Sequence, residues 1–360
     1  MAKAKKPVLL IGGVPGNSPA EVFKICAKEI GDLAIGLTDG ETNLRRFWVL
    51  FVAVRALENH PDIETVRKPR GVPGMPRYVP GGYDDLYKFT VAKGKDRVQI
   101  DTLTYPVEAK ASYLTFRRLR DQGVIAKDTR FQFCIPFPED VTRLFTDNAR
   151  DMDILSAAYQ EAALRDIASI LEDIPADDLV LQWDINWETL AVEANDYVGE
   201  EPLHFKGNGD PFERYLAFVR KLCAPIPKET LVGLHLCYGD LHHRHFIECK
   251  TLETCVRLAN AGVKEAGRRI DYVHMPVPRA RDDDEYFKPL TNLKIGDTTV
   301  YIGLVHYTDG VPGSLKRLST FKKYYSGNAG VATECGLGRR PPDQSLPELL
   351  RMHREVAAAL

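Results

Sequence analysis

The chain has 360 residues, a formal net charge of −2 and 44% hydrophobic residues, enough for one large core. The near-neutral balance excludes an electrostatic footprint for nucleic acid. No basic block exceeds Lys3-Ala4-Lys5-Lys6, which reads as a solvated N-terminal tail. No apolar run reaches the ~20 residues of a membrane span, the nearest being 47–57, interrupted by Arg55.

Taken in chain order, strand signals recur at 8–11, 33–36, 131–135, 179–184, 231–237, 272–275, 299–305 and 330–335. Most are short continuous apolar runs, the pattern of parallel strands buried on both faces. Between them lie amphipathic helical stretches at 19–30, 43–59, 152–172, 211–222, 251–266 and 313–325, with a last one at 346–359. Pro19 and Pro211 suit first-turn positions, with Ser18 and Asp210 as caps. The alternation predicts a single (β/α)8 barrel domain over 1–360. An open sheet would want a phosphate turn after the first strand, but Gly12-Gly13-Val14-Pro15-Gly16 is neither G-x-G-x-x-G nor a Walker loop. Residues 61–106, rich in proline, interrupt the alternation as an insertion, with runs 87–91 and 97–103 flanking the hairpin turn 92–96. Such an insertion is padding at the barrel's bottom and a lid at its mouth.

The seven cysteines are odd in number and lack a disulfide spacing, as expected of a reducing cytoplasm. The N-terminus shows no secretory core, in keeping with that location. Cys26, Cys134, Cys223, Cys249 and Cys255 read as structural thiols. Cys237 and Cys335 differ, because each closes an apolar run. Side chains alternate along a strand, so His235 and Cys237 share a face. With Cys335 from another strand end they suit a soft tetrahedral ion such as zinc. The bland alternative makes both cysteines small core hydrophobes and His235 a satisfied polar residue.

A barrel gathers its chemistry at the C-terminal ends of its strands. Those ends carry Asp39-Gly40-Glu41, Gln182-Trp183-Asp184, His235, Cys237 and Asp240, His274, His306 and Asp309, then Glu334, Cys335 and Arg339-Arg340. His274 is either a fourth ligand completing a His2Cys2 set or a hydrogen-bonding residue of the mouth. His306 reads as a substrate-facing acid/base or donor, and the cluster His242-His243-Arg244-His245 as a solvated or substrate-facing loop. Trp183, Trp187, Tyr238, Tyr286 and Tyr307 are candidates to line a pocket for a flat or apolar substrate, or else core aromatics.

At these residues the chain resembles the C-terminal catalytic barrel of cobalamin-independent methionine synthase, within the superfamily that includes uroporphyrinogen decarboxylase. Ile11-Gly12-Gly13-Val14-Pro15 is similar to that family's Ile-Gly-Ser-x-Pro loop, Asp39-Gly40-Glu41 to its His-Gly-Glu, and Gln182-Trp183-Asp184 to its Gln-Ile-Asp. His235-Leu236-Cys237-Tyr238 resembles its His-x-Cys-Tyr, and Cys335-Gly336-Leu337-Gly338-Arg339 its Cys-Gly-Leu-x-x-Arg. The resemblance implies Zn2+ as cofactor, held by His235, Cys237 and Cys335 with His274 where the family has its glutamate, two histidines and two thiolates in all, and a substrate thiolate presented to an alkyl donor. Gly12, Gly13, Glu41, Gln182, Asp184 and Tyr238, which lie in these motifs, and Tyr307 at a strand end are the expected substrate-binding residues, the resemblance implying that Glu41 and Asp184 hold an amino group. Asp184, His306 and Asp309 are the expected catalytic residues. Departures are Gly13 for serine, Ile185-Asn186 for Glu-Pro, His274-Met275 near the family's zinc-binding glutamate, and no counterpart of its folate-binding N-terminal half.

The expected activity is therefore zinc-dependent methyl or alkyl transfer to or from a small thiol. The alternatives are a zinc-dependent lyase or O-demethylase, a metal-free decarboxylase-like relative, and a structural-zinc binding module. Partners are expected to be small molecules, neither nucleic acid nor membrane. The sequence leaves the oligomeric state open, a homo-oligomer included.

Overall fold

The computed structural model describes residues 1–76, 78–82, 85–194, 207–239, 245–339 and 343–360. Asp240, His242, His243, Arg244 and Arg340 lie outside these. The chain runs β1 (Ala2–Val8), α1 (Pro19–Ile30), β2 (Leu37–Thr38), α2 (Leu50–Val52), β3 (Ile63–Arg67), β4 (Lys88–Val91), α3 (Tyr105–Asp121), β5 (Phe131–Pro136), α4 (Pro138–Phe145) and α5 (Ala149–Asp173). It continues β6 (Leu179–Ile185), α6 (Trp187–Ala194), α7 (Pro211–Cys223), β7 (Leu231–Leu236), α8 (Glu253–Glu265), β8 (Tyr272–Pro276), α9 (Asp284–Phe287), β9 (Thr299–Val305), α10 (Gly310–Tyr324), β10 (Asn328–Thr333) and α11 (Leu346–Ala358).

Eight strands form one parallel sheet in the order β1-β10-β9-β8-β7-β6-β5-β2. Parallel bridges Val8 to Ala34 and Gly13 to Gly40 join its two ends, closing the barrel with helices outside. The expected fold class is thus the observed one. Strands such as β5 and β6 are buried at every residue, because one face meets helices and the other fills the cylinder. The interior is packed by large side chains seated over glycines of the neighbouring strand. A Cβ on Gly233 would lie 1.9 Å from the Tyr272 ring, and one on Gly330 would lie 2.4 Å from that of Tyr301. These two rings meet edge to face and form an inner cluster with Leu9, Ile11, Val180 and Ala332.

Ser18 and Asp210 cap α1 and α7 as expected, accepting from the backbone N–H of Glu21 and Phe212. The lysine-rich N-terminus is not a free tail: it is β1, with Ala2 and Lys3 paired to Asn328 and Ala329. Two expectations about the insertion are also corrected. Its hairpin pairs β3 with β4, and 97–103 forms no strand but runs along α5, where Asp166 accepts from the N–H groups of Leu103 and Tyr105. Of the expected helix 43–59 only α2 is α-helical; a 3-10 turn (Asn43–Phe47) precedes it and a π-turn (Ala53–Leu57) follows. No described helix is long and apolar enough to cross a membrane.

Candidate metal centre and cavity

A cavity of about 1000 Å³ opens at the C-terminal mouth of the barrel, and Glu41, Asp184, His235, Cys237 and Cys335 all line it. His235 lies near the end of β7. Cys237 keeps the strand's alternation because its N–H still donates to the Ile185 carbonyl at 3.0 Å. Cys335 sits two residues beyond β10 in a loop pinned by Leu337 N–H to the Gly13 carbonyl at 2.6 Å. Gly336 and Gly338 lie against the Gly13 backbone there, where an added Cβ would stand 3.4 and 3.6 Å from it. The two sulfurs stand 3.6 Å apart as free thiols, and Cys335 Sγ is 4.0 Å from His235 Nε2. A tetrahedral zinc ion with ordinary Zn–S and Zn–N bonds spaces its donors about 3.6–3.8 Å apart; the two sulfurs match that spacing and all three donor atoms lie within 4.8 Å of one another, so the triad suits such an ion once the imidazole closes in.

The hydrogen-bond chain behind the triad fixes which nitrogen is free. His274 Nε2 lies 3.0 Å from the Thr333 carbonyl, an acceptor only, so that nitrogen carries the proton. His274 Nδ1 then accepts, and it lies 2.8 Å from His235 Nδ1, which therefore donates. His235 Nε2 keeps its lone pair and turns it toward the thiols. Burial holds both imidazoles neutral, His235 well below the usual histidine range and His274 down to about 4. Both nitrogens of His274 are committed, so it does not complete a four-ligand set; it orients His235, as partners of metal-binding histidines do. Gly303 on β9 makes the room: a Cβ there would stand 2.8 Å from His274 Nε2 and 2.9 Å from the Thr333 carbonyl oxygen.

The opposite wall is acidic. Asp184 closes β6 and accepts from Gln182 Nε2 at 2.8 Å and from the Trp48 side chain. Burial, then the charge of Glu41, pushes Asp184 well above the usual carboxylate range. Glu41, Asn43 and Trp48 all have left-handed backbones, at φ 52°, 59° and 50°. Strain of this kind collects where side chains must be aimed. Beneath them the buried Arg45 pairs with Asp39 at 2.5 Å and lies over the Phe133 ring at 4.2 Å. Gly12, at φ 108°, does not line the cavity; a Cβ there would press on Glu41 and Cys134 at 3.0 Å.

Several expected site residues stand elsewhere. Gln182 is fully buried below the cavity, bonded to Asp184, Tyr272 and the Ile11 carbonyl. Tyr238 turns into the helical layer toward Tyr286 and Cys255. Tyr307 donates to Glu348 of α11. His306 Nε2 is held by the Val277 carbonyl at 2.8 Å, and Asp309 is clasped by Arg317 at 2.6 and 2.8 Å. Neither lines the cavity, so His306 lacks the substrate-facing acid/base position expected of it and Asp309 the catalytic one. Trp183 is a core aromatic, while Trp187 stacks on Phe246, which lines the cavity. Of the histidine cluster, the described His245 pairs with Glu334 and Glu248, which hold its pKa up at about 9 against its burial.

Sequence reasoning missed the upper wall. Leu44, Phe47 and Trp48 build one side of it, and Met75, Tyr78 and Leu86 of the insertion another, so the insertion reaches the mouth. The clustered prolines 73, 76 and 80 were the available signal. Asn186, a strand-end residue given no role in the sequence, lines the cavity and donates to the Cys237 carbonyl at 3.3 Å.

No family model matches this sequence, and no curated protein does. Among solved structures the chain is similar to a B12-independent methionine synthase from Shewanella sp. W3-18-1 in complex with selenomethionine. The TM-score is 0.59 at 14% identity, and the match covers 99% of this chain and 98% of that one. That likeness is one of fold, extending over the whole barrel.

Proposed function

We propose that this chain is a methionine-synthase-like, zinc-dependent alkyl transferase acting on or producing a small thiol. The observation that carries the reading is the His235–Cys237–Cys335 triad, whose histidine presents a lone pair fixed by His274 and Thr333. Among the described residues three protein donors gather here, and three rather than four is the pattern of catalytic zinc, which keeps one position for substrate. The fold neighbour's bound selenomethionine carries a methyl group on selenium, which makes methyl the group to test first.

When bound, zinc supplies the positive charge that lets a substrate thiol ionise near neutral pH. The chain's own residues do the rest. The rigid ends of β7 and β10 orient the donors, and the strained loop around Glu41 faces Asp184 across the cavity floor. A substrate amino group placed between these two acids donates charge-assisted hydrogen bonds to their carboxyl oxygens. The apolar upper wall excludes water from the reacting sulfur.

The test is metal analysis followed by a thiol assay. Protein purified with zinc should hold one ion per chain and accelerate alkylation of homocysteine by methyl iodide. Cys335→Ser should lose both properties. Metal-free wild type, or zinc that survives the substitution, overturns the reading.

A further inference from the structure

Beneath the acid pair lies a second layer of charge that does not reach the cavity. Asp39 and Arg45 are 2% and 5% exposed, and neither lines it. The Asp39 carboxylate has three partners. It accepts from the Glu41 N–H at 3.0 Å, from the Arg45 guanidinium at 2.5 Å and from the Ser112 hydroxyl of α3 at 2.7 Å. Arg45 is also packed over the Phe133 ring of β5, and its other terminal nitrogen stops 3.9 Å from Glu41 Oε1. One guanidinium thus stands between two carboxylates, and Asp39 takes the contact. Withdrawing such a pair from water is costly, and apolar residues fill a core without that cost. The resembled family's motif has histidine where this chain has Asp39, so the carboxylate is a feature of this chain.

We propose that Asp39 is a positioning residue: it holds Arg45 back from Glu41 and fixes the Glu41 backbone, so that the Glu41 carboxylate answers a substrate amino group rather than the guanidinium beside it. This deepens the transferase reading and rests on its assignment of Glu41 and Asp184 to an amino group. Glu41 has a left-handed backbone at φ 52°, and its N–H bond to Asp39 anchors that conformation. A guanidinium presents its donors in a rigid fork matched to carboxylates. Without the Asp39 charge, the nearest carboxylate for Arg45 is Glu41, across the 3.9 Å that now separates them. Guanidinium and substrate ammonium would then compete for one anion. Asp39 touches no substrate; it acts through the place it gives to Arg45 and Glu41.

Methionine and 4-(methylthio)butyrate differ only in the amino group, and neither has a thiol, so the ratio of their affinities reads the amine without turnover. Both are titrated by calorimetry into the purified full chain as wild type, Asp39→Asn and the double variant Asp39→Asn/Arg45→Met. Wild type should favour methionine at least ~tenfold. Asp39→Asn keeps an oxygen for the Glu41 N–H but releases Arg45. It should cut the preference about tenfold while leaving 4-(methylthio)butyrate within about twofold of wild type. Removing the released cation in the double variant should restore the preference to within about threefold of wild type, a recovery that a merely weakened loop does not give. Because Arg45 finds Glu41 in Asp39→Asn, that variant should keep the wild-type circular dichroism. Equal affinities, or no methionine binding, in wild type overturn the amino-group assignment and this proposal with it. Where wild type does prefer methionine, three results overturn this proposal alone: a preference that survives Asp39→Asn, one that the double variant does not restore, or an Asp39→Asn chain that fails to fold.

Discussion

The two sides of the cavity floor are built by opposite means. On one side His235 and His274 stand in register on adjacent parallel strands, and Cys237 and Cys335 follow the ends of β7 and β10. Long backbone ladders from β6 to β10 fix those positions. On the other side β2 has only two residues, and Glu41 and Trp48 are aimed by left-handed backbone just beyond it. A ladder gives donors a geometry that tolerates no drift, as an ion requires. A strained loop is easier to remodel, and it carries the groups that would choose the substrate.

Substitutions on the ladder side should therefore act on metal first, and the largest effect belongs to the thiols. Replacing Cys237 by Ser should remove stoichiometric zinc while leaving the fold intact by circular dichroism, since it exchanges one atom at a strand end. Next comes His274→Leu, which deprives the His235 Nδ1–H of its acceptor. Zinc affinity, measured by competition with a chelator, should fall about 10–100-fold, with partial recovery in His274→Gln, whose amide oxygen can accept. Gly303→Ala is a gentler version of the same blow. Its Cβ crowds the His274–Thr333 bond, and we expect a loss of about 1–3 kcal/mol in urea unfolding together with weaker zinc binding.

The smallest effect sharpens the comparison from outside the floor. Glu188 of α6 is buried beside Glu139, and burial with that neighbouring charge pushes its carboxyl up to about 8. A raised carboxyl favours the folded state while protonated, so this contribution is present in acid and is lost as pH rises between about 4 and 8. Glu188→Gln should match wild type near pH 4 and exceed it in stability near pH 8, by an amount on the order of a few kcal/mol at most. Equal pH profiles for the two proteins would remove the assignment.

The ladder side was legible in the sequence because two rules act there at short range. Continuous apolar runs mark the strands, and alternation places His235 and Cys237 on one face. The loop side was not. Pro106 and Pro138 mark the first turns of α3 and α4, yet Pro106 was read as the end of an irregular insertion, and neither helix was seen. A single left-handed residue, Trp48, splits the expected helix 43–59, and nothing in its side chain announces that backbone. The lysines of β1 looked like a tail because their partner strand lies more than three hundred residues away. His306 and Asp309 stand near a strand end like the others. Their partners, the Val277 carbonyl and Arg317, become visible only when the neighbouring elements are packed.

X-ray absorption at the zinc edge tests the central claim most directly. Zinc-loaded protein should show two sulfurs at about 2.3 Å and one imidazole nitrogen at about 2.0 Å, with a third sulfur appearing when homocysteine is added. A shell without two sulfurs, or a sulfur count unmoved by the thiol, would contradict the account.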